Sequence, residues 1–328
     1  MEQNNSTVLV SVVIITYNHA QYIRRAIDSV LEQSIYGHME ILVGDDASAD
    51  DTPLILNSYK QCAPDVFRIV QQQQNIGASK NIYGLFTLAK GKYIALLEGD
   101  DYWTDRLKLE KQVNFLEENP CFIGCTHECM ILGASGKFYS NRRLEWVSRE
   151  RHLTLDESQG FFLAGQTGTL VFRNIFAQPK YDYRIIYQAH RLISDRTIQA
   201  ILLAQGDLYR LDEVMSVYRY CADKHAGNVT SMMFVNDITG PYENLLLAEK
   251  IENYIRDTFQ NEFDCRQIKI RFLAEAIIKL MRYPSSESWK MIQEILRDHS
   301  HRRLLYSVQL PLMICRRLVY KIVRRRES

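Results

Sequence analysis

Over the first hundred residues, short apolar runs alternate with segments whose apolar residues recur every three or four positions. Val10 to Thr16 is a run rich in β-branched residues and reads as a strand. Ala20 to Gln33 carries Ile23, Ala26, Ile27, Val30 and Leu31, which share one face of a helix. The alternation continues with a strand over Glu40 to Val43, a helix over Thr52 to Cys62 and a strand over Phe67 to Val70. A helix over Ala78 to Ala89 and a strand over Lys92 to Leu97 follow. This order predicts an α/β fold with a parallel sheet and helices on both faces, because each parallel pair needs a crossover.

After Leu97 the pattern loosens. A helix over Asp105 to Glu118 stops at Asn119-Pro120. Short strands at Leu170 to Phe172, Leu208 to Leu211 and Val214 to Tyr220, with a helix from Asp195 to Ala204, are expected to complete the sheet and wall a cleft. Beyond residue 236 the pattern is helical: Tyr242 to Phe259, Cys265 to Met281 and Ser286 to Asp298. The expected organisation is one domain over 1–235, with halves at about 8–120 and 121–235, and a helical region over 236–328.

Three of the strands end in polar residues that the topology puts at one edge: Thr16-Tyr17-Asn18, Gly44-Asp45-Asp46 and Glu98-Gly99-Asp100-Asp101-Tyr102-Trp103. Open α/β sheets bind ligands at that edge. Adjacent carboxylates repel unless a hard cation compensates them, and a cation held by oxygens can also grip a diphosphate. The motif reads first as a metal-dependent nucleotide site. Asp45-Asp46 with Ser48 alone would fit a turn that caps the next helix, but its place beside the other polar strand ends favours the site. Tyr102 and Trp103 fit either the core or the face of a sugar ring.

Composition narrows the class. The 328 residues are 46% hydrophobic and 24% charged, enough for one large core with an appended helical region. No stretch approaches the roughly 18 apolar residues of a spanning helix, and Val8 to Ile15 is too short for a signal peptide, so a cytoplasmic location is expected. The sequons at Asn4, Asn5 and Asn228 then carry no information. Seven cysteines suit a reducing compartment, with Cys121, Cys125 and Cys129 read as small core residues rather than metal ligands, since Phe122 to Cys125 looks like a strand.

The net charge of +1 conceals an asymmetry: the segment from Arg302 to the end carries +7, leaving −6 on the rest. There Leu312, Cys315, Leu318, Val319 and Ile322 share a face while Arg316, Arg317, Lys321 and Arg324 to Arg326 supply charge. Such a helix either packs on its own domain or lies on an anionic membrane surface as a peripheral contact. Nucleic acid is a poorer partner, because the rest of the chain is acidic and no nucleic-acid motif occurs.

The motifs in their order carry a resemblance. Val12-Val13-Ile14-Ile15-Thr16-Tyr17-Asn18, then Tyr22, Ala26, Ser29 and Gln33, then Val43 to Asp50, Asn75-Ile76-Gly77, Lys80-Asn81, Ala89 to Tyr93 and the acidic cluster together resemble a family 2 glycosyltransferase of the GT-A fold. The likeness is dense over about 8–120. It implies a Rossmann-like, mostly parallel sheet and an inverting enzyme that uses a nucleotide sugar with Mn2+ or Mg2+. A hexosyl- or N-acetylhexosaminyltransferase acting in bacterial surface polysaccharide synthesis, on a glycan or lipid-linked acceptor, is the expectation, with a UDP-sugar favoured as donor.

By the same resemblance, Thr16, Tyr17 and Asn18 surround the nucleotide, and Asp45 or Asp46 accepts a hydrogen bond from the base. Lys80 stands where the family often has an arginine near the nucleotide. Asp101 is favoured for the metal, with Asp100 toward the ribose or the metal shell, and Tyr102 and Trp103 lie beside the donor or acceptor sugar. Tyr218-Arg219-Tyr220 followed by His225 is similar to a segment that contacts the diphosphate or metal. An inverting displacement needs a carboxylate that removes the acceptor hydroxyl's proton from the face opposite the leaving group. Asp195, opening its helix with Ser194 in place of the usual acidic or glycine neighbour, is the expected base, and Asp207 and Asp212 are its rivals. Two other readings remain open: a sugar nucleotidyltransferase, disfavoured by the missing Gly-rich triphosphate loop, and a nucleotide-binding scaffold without turnover. A dehydrogenase is disfavoured by the absence of Gly-x-Gly-x-x-Gly.

Overall fold

A computed structural model describes residues 8–139, 144–220 and 239–298. At its centre lies β1 (Val10–Thr16), paired in parallel with β2 (Met39–Asp45) on one side and β4 (Tyr93–Glu98) on the other; β3 (Phe67–Gln71) extends the sheet beyond β2. The crossovers are α1 (Ile23–Leu31), α2 (Thr52–Cys62) and α3 (Ala78–Phe86). β1 and β4 are almost wholly buried, as their largely apolar runs require of strands covered on both faces. Ile23, Ala26, Ile27 and Val30 turn the apolar stripe of α1 into this core.

The α/β fold with a mostly parallel sheet is as expected, and short antiparallel pairings enter in its later part. The nine strands run β3-β2-β1-β4-β8-β6-β9-β5, with β7 (His152–Leu153) against β9. β8 (Val171–Arg173) is antiparallel to both β4 and β6, and β5 (Tyr102–Trp103) is antiparallel to β9. β6 (Phe122–Gly133) and β9 (Asp207–Tyr220) pair in parallel. β9 is one long strand where two short ones are predicted. The polar pair Asp212-Glu213 that breaks its apolar pattern falls at a register irregularity: His127 lies opposite Leu211, but Glu128 lies opposite Val214 and Cys129 opposite Ser216. A bulge lets a strand carry unpaired polar residues without ending. α4 (Lys108–Glu118) packs on β6, and α5 (Ile185–Gln188) and α6 (Asp195–Leu203) precede β9.

The chain divides into two compact units, Met1–Ser158 with Phe162–Tyr220, and Gln159–Phe161 with Cys221–Ser328. In the second, the described helices are Thr239–Phe259, Arg266–Arg282 and Ser286–Asp298. The first two are tied by an ion pair between Lys269 and Glu252, whose carboxylate also accepts the Cys265 N–H at 3.3 Å. No helix among the described residues is long and apolar enough to cross a membrane. The basic segment from Arg302 onward lies outside the described residues, as does His225.

Candidate active site

The parallel register puts Thr16 beside Asp45 and Ile15 beside Glu98, so the C-terminal ends of β1, β2 and β4 form one edge. Strand order reverses between β1 and β4, and such a switch point opens a crevice. The loops after β1 and β2 are stitched together there. Asn18, in the left-handed region at φ 54°, donates its backbone N–H to Ser48 Oγ at 2.8 Å and accepts the Ala49 N–H at 2.8 Å. Asp50 accepts the Ala20 N–H at 2.9 Å. Asparagine tolerates this backbone region better than most residues, which suits it to the position.

Asp45 and Asp46, equivalent in the sequence, do different things. Asp46 is buried and accepts the N–H groups of Ile76 at 2.7 Å and Gly77 at 2.9 Å, so it holds the loop before α3. Asp45 uses Oδ1 for the N–H and hydroxyl of Ser48, while its Oδ2 is buried without a hydrogen-bond partner among the described residues. Burial pushes the Asp45 carboxyl above its ordinary range, against the lowering effect of Ser48. An unpaired buried oxygen at a crevice wall is costly until a donor reaches it. Tyr17, at the end of β1, is exposed, and Lys80 is exposed on α3.

The acidic cluster is organised by a residue that sequence reasoning missed. Gln166 Nε2 lies 3.0 Å from Glu98 Oε2 and 3.0 Å from Asp101 Oδ2, and its Oε1 accepts the Gly168 N–H at 2.6 Å. That last bond fixes which end of the amide faces the carboxylates. Asp101 Oδ1 accepts the Arg219 N–H at 2.7 Å, and Arg219 Nε donates to the Asp100 carbonyl at 3.1 Å. Burial, then the charges of Asp100 and Asp195, push Glu98 up to about 8. Burial, then Asp100 and Glu98, hold Asp101 well above the carboxylate range.

This geometry reorders the acidic residues. Asp101, expected first at the metal, is 3% exposed and has both oxygens engaged by protein donors. Asp100 is partly exposed and its side chain makes no hydrogen bond among the described residues. No group of three His, Cys, Asp or Glu side chains among the described residues forms a closed metal cage. A divalent ion in a phosphate site needs only one or two carboxylates, because the diphosphate supplies the remaining oxygens. The residues present therefore fit Mg2+ or Mn2+, with Asp100 as the available oxygen donor among the described residues.

Of the two readings left open for Tyr102 and Trp103, their burial fits the core one. They are 4% and 3% exposed. The Trp103 indole donates to the Gly168 carbonyl at 2.9 Å, Lys108 Nζ sits 3.9 Å over its ring, and Arg25 stacks 3.6 Å over Tyr102. β5 is the last strand of the sheet, where Tyr102 pairs with Val217 and Trp103 with Ser216 of β9. Cys125 and Cys129 sit on a strand, where four residues span about 13 Å, too far to share an ion.

Asp195 opens α6 and is near enough to Glu98 for its charge to raise that carboxyl. One turn later on the same helix face, Gln199 accepts the Ala164 N–H at 2.7 Å. The approach to α6 is fixed by Arg191, whose guanidinium donates to the Asn75 side chain and carbonyl and whose carbonyl accepts the Ser79 N–H. Gly77, at φ 90°, lies under it: a Cβ there would meet Arg191 Cγ at 2.5 Å. The rival carboxylates are engaged elsewhere, Asp207 with His152 at 2.7 Å and Asp212 with Arg151.

Similarity to known proteins agrees with this arrangement. Rv1520 of Mycobacterium tuberculosis, an uncharacterized protein, is 36% identical over 211 residues, covering 64% of this chain, and the chain spans 58% of that relative's length. WfaP of Escherichia coli, a UDP-Glc:alpha-D-GlcNAc-diphosphoundecaprenol beta-1,3-glucosyltransferase, is 37% identical over 117 residues, 35% of this chain and 44% of WfaP. TuaG of Bacillus subtilis, a putative teichuronic acid biosynthesis glycosyltransferase, is 37% identical over 118 residues, 36% of this chain and 46% of TuaG. Among solved structures, TarS of S. aureus residues 1–349, crystallised with UDP-GlcNAc, superposes with a TM-score of 0.53 at 16% identity, covering 93% of this chain and 90% of that one. That likeness is one of fold, the GT-A arrangement of a mixed sheet with flanking helices. The Glycosyl transferase family 2 profile matches residues 11–186, more than half of the sequence, and the chain belongs to that family.

Proposed function

We propose that this chain is a metal-dependent, inverting glycosyltransferase that moves a sugar from a nucleotide-sugar donor, a UDP-sugar by preference, to a glycan or lipid-linked glycan acceptor in surface polysaccharide synthesis. The observation that carries the reading is the division of labour at one sheet edge. Among the described residues, Asp45 keeps a buried unpaired oxygen, Asp100 keeps a free carboxylate, and Asp195 stands beside the same cluster, while their neighbours Asp46 and Asp101 are fully engaged. The names of WfaP and TuaG support the substrate classes.

In this reading Asp45 Oδ2 accepts an N–H of the nucleotide base, and the stitched loop at Thr16, Tyr17 and Asn18 lies along the nucleoside. Lys80 is placed to meet the nucleotide's charge. Asp100 would hold Mn2+ or Mg2+, which supplies neutralisation of the charge that develops on the departing nucleoside diphosphate. Asp195 takes the proton of the accepting hydroxyl as the C–O bond to the new sugar forms and the bond to the diphosphate breaks. Gln166 acts through the carboxylates it holds. The basic segment beyond Arg302 would place the enzyme at an anionic lipid surface, and cosedimentation with anionic vesicles, with and without residues 316–328, tests it.

The experiment for the whole reading is calorimetric binding of UDP, GDP and dTDP with Mn2+ and with chelator, followed by donor hydrolysis. Metal-dependent binding of one nucleotide supports it. Binding of none of the three by folded protein would sink it.

A further inference from the structure

In the second unit, the helices Arg266–Arg282 and Ser286–Asp298 are joined by a short turn through Tyr283, Pro284 and Ser285. Its own hydrogen bonds fix it. The Tyr283 N–H closes on the Lys279 carbonyl at 2.8 Å, and Pro284 cannot continue that helix. Ser285 then caps the next one, its hydroxyl accepting the Ser288 N–H at 3.0 Å and its carbonyl accepting the Trp289 N–H at 3.0 Å.

Around this turn the apolar residues divide. Ile278, Leu280 and Ile292 are buried and supply the local core. Met281, Tyr283 and Trp289 are instead 70%, 46% and 55% exposed. Every exposed large apolar side chain among the described residues of the second unit is one of these three. Single exposed apolar residues are ordinary on a soluble surface, but a unit that gathers all of its own at one turn presents a patch. The Tyr283 hydroxyl and the Trp289 indole N–H make no hydrogen bond among the described residues. Both rings thus keep an apolar body and a polar tip, the combination that favours the boundary between hydrocarbon and water.

Charge identifies the occupant. Arg282 and Lys290 flank the patch, are exposed, and make no hydrogen bond or ion pair among the described residues. Glu287 is the acid of the turn, while Glu294 further along accepts the Tyr242 hydroxyl at 3.3 Å. Soon after Asp298 the sequence enters the segment from Arg302 to the end, which carries +7. Burying such cations against an apolar protein surface is costly. An anionic bilayer instead offers hydrocarbon to the three apolar side chains and phosphates to the cations. Lasting attachment to a bilayer takes two signals, and apolar insertion beside basic charge supplies both.

We infer that this turn is a lipid-contacting wedge, with Met281, Tyr283 and Trp289 entering the interface of an anionic bilayer and Arg282 and Lys290 meeting its headgroup phosphates. The inference adds an apolar contact to the electrostatic one read from the basic segment, and it stands apart from the transfer chemistry. The test mixes the full chain with phosphatidylcholine vesicles, with and without phosphatidylglycerol, and with brominated versions whose bromine quenches tryptophan at acyl-chain depth. Trp103 and Trp146 lie in the first unit, so Trp289→Phe isolates the signal of the turn.

Wild type should bind the anionic vesicles and be quenched by bromolipid, and Trp289→Phe should bind with that quenching lost. The triple variant Met281→Ser, Tyr283→Ser and Trp289→Ser should partition about tenfold more weakly. Its three positions are exposed, so its melting temperature should match wild type. Equal partitioning of the triple variant and wild type, or wild-type binding without quenching, overturns the proposal and leaves basic charge as the contact. Failure of wild type to bind anionic vesicles overturns it too. So does a Trp289 emission that shifts to the blue with protein concentration in vesicle-free solution, because a second copy of the chain would then cover the patch. UDP binding in the same samples reads the transferase proposal separately, so the two can fail independently.

Discussion

Gln166 and Asp101 meet through a 3.0 Å contact from the amide nitrogen to Asp101 Oδ2, and the same nitrogen serves Glu98 at 3.0 Å. One amide with two N–H groups thus holds two carboxylates 68 and 65 residues earlier in the chain. Because Gly168 locks the amide's oxygen, the donor end cannot turn away. Replacing Gln166 with Glu would put a third acid against the pair, and metal-dependent UDP binding should weaken by about tenfold or more, read by calorimetry.

The pH dependence follows from the sign of the Glu98 shift. Its folded value, about 8, stands above its ordinary 4.5, so the folded state holds a proton that the unfolded chain releases. That contribution to stability is complete below about 4.5 and is lost as pH rises through about 8. In thermal melts of the metal-free protein, Tm should decline across this window, and Glu98→Gln should flatten the decline. A profile identical in wild type and variant would contradict the protonated Glu98.

Asp100 and Asp101 should separate. Asp101→Ala leaves the Arg219 N–H and one Gln166 N–H without acceptors, at a cost of about 1–3 kcal/mol measured by denaturant unfolding. Asp100→Ala should change stability little and remove the metal dependence of UDP binding. The opposite pattern would restore Asp101 to the metal.

Asp45→Ala should lower nucleotide affinity by about tenfold to a hundredfold, the worth of one hydrogen bond to a charged group, with the metal dependence retained. Asp195→Asn should bind nucleotide normally and transfer sugar about a hundredfold to ten-thousandfold more slowly. Normal transfer by Asp195→Asn would remove it from the base role.

Gly77→Ala tests the link between the loop before α3 and the approach to Asp195. A left-handed φ of 90° and a Cβ 2.5 Å from Arg191 Cγ together should cost about 1–3 kcal/mol. The variant should melt lower and transfer more slowly, while Gly136→Ala, also at positive φ but in open space, should melt lower with transfer unchanged.

The first half of the sheet was legible because its strands are predominantly apolar and alternate with segments of helical apolar spacing. The second half was less so. β8 was expected one residue early, but β5 is only two residues long and β9 carries Asp212 and Glu213 through a bulge, so periodicity over a window of residues misses the first and splits the second into two strands. Tyr102 and Trp103 followed the acidic motif so directly that they read as part of it, although they serve as the seam between β5 and the rest of the sheet.

The sequence by itself determined that acidic residues gather at the ends of parallel strands, since periodicity encodes burial and chain order encodes crossovers. It also marked Asp195 as the first residue of a later helix. Only the tertiary structure decided which carboxylates are free to act. Asp45 differs from Asp46, and Asp100 from Asp101, through partners that arrive from afar: Gly77 lies 31 residues from Asp46, and Arg219 lies 118 from Asp101. A hydrogen bond over such separations has no local signature, because its donor is placed by the packing of whole elements rather than by its neighbours in the chain.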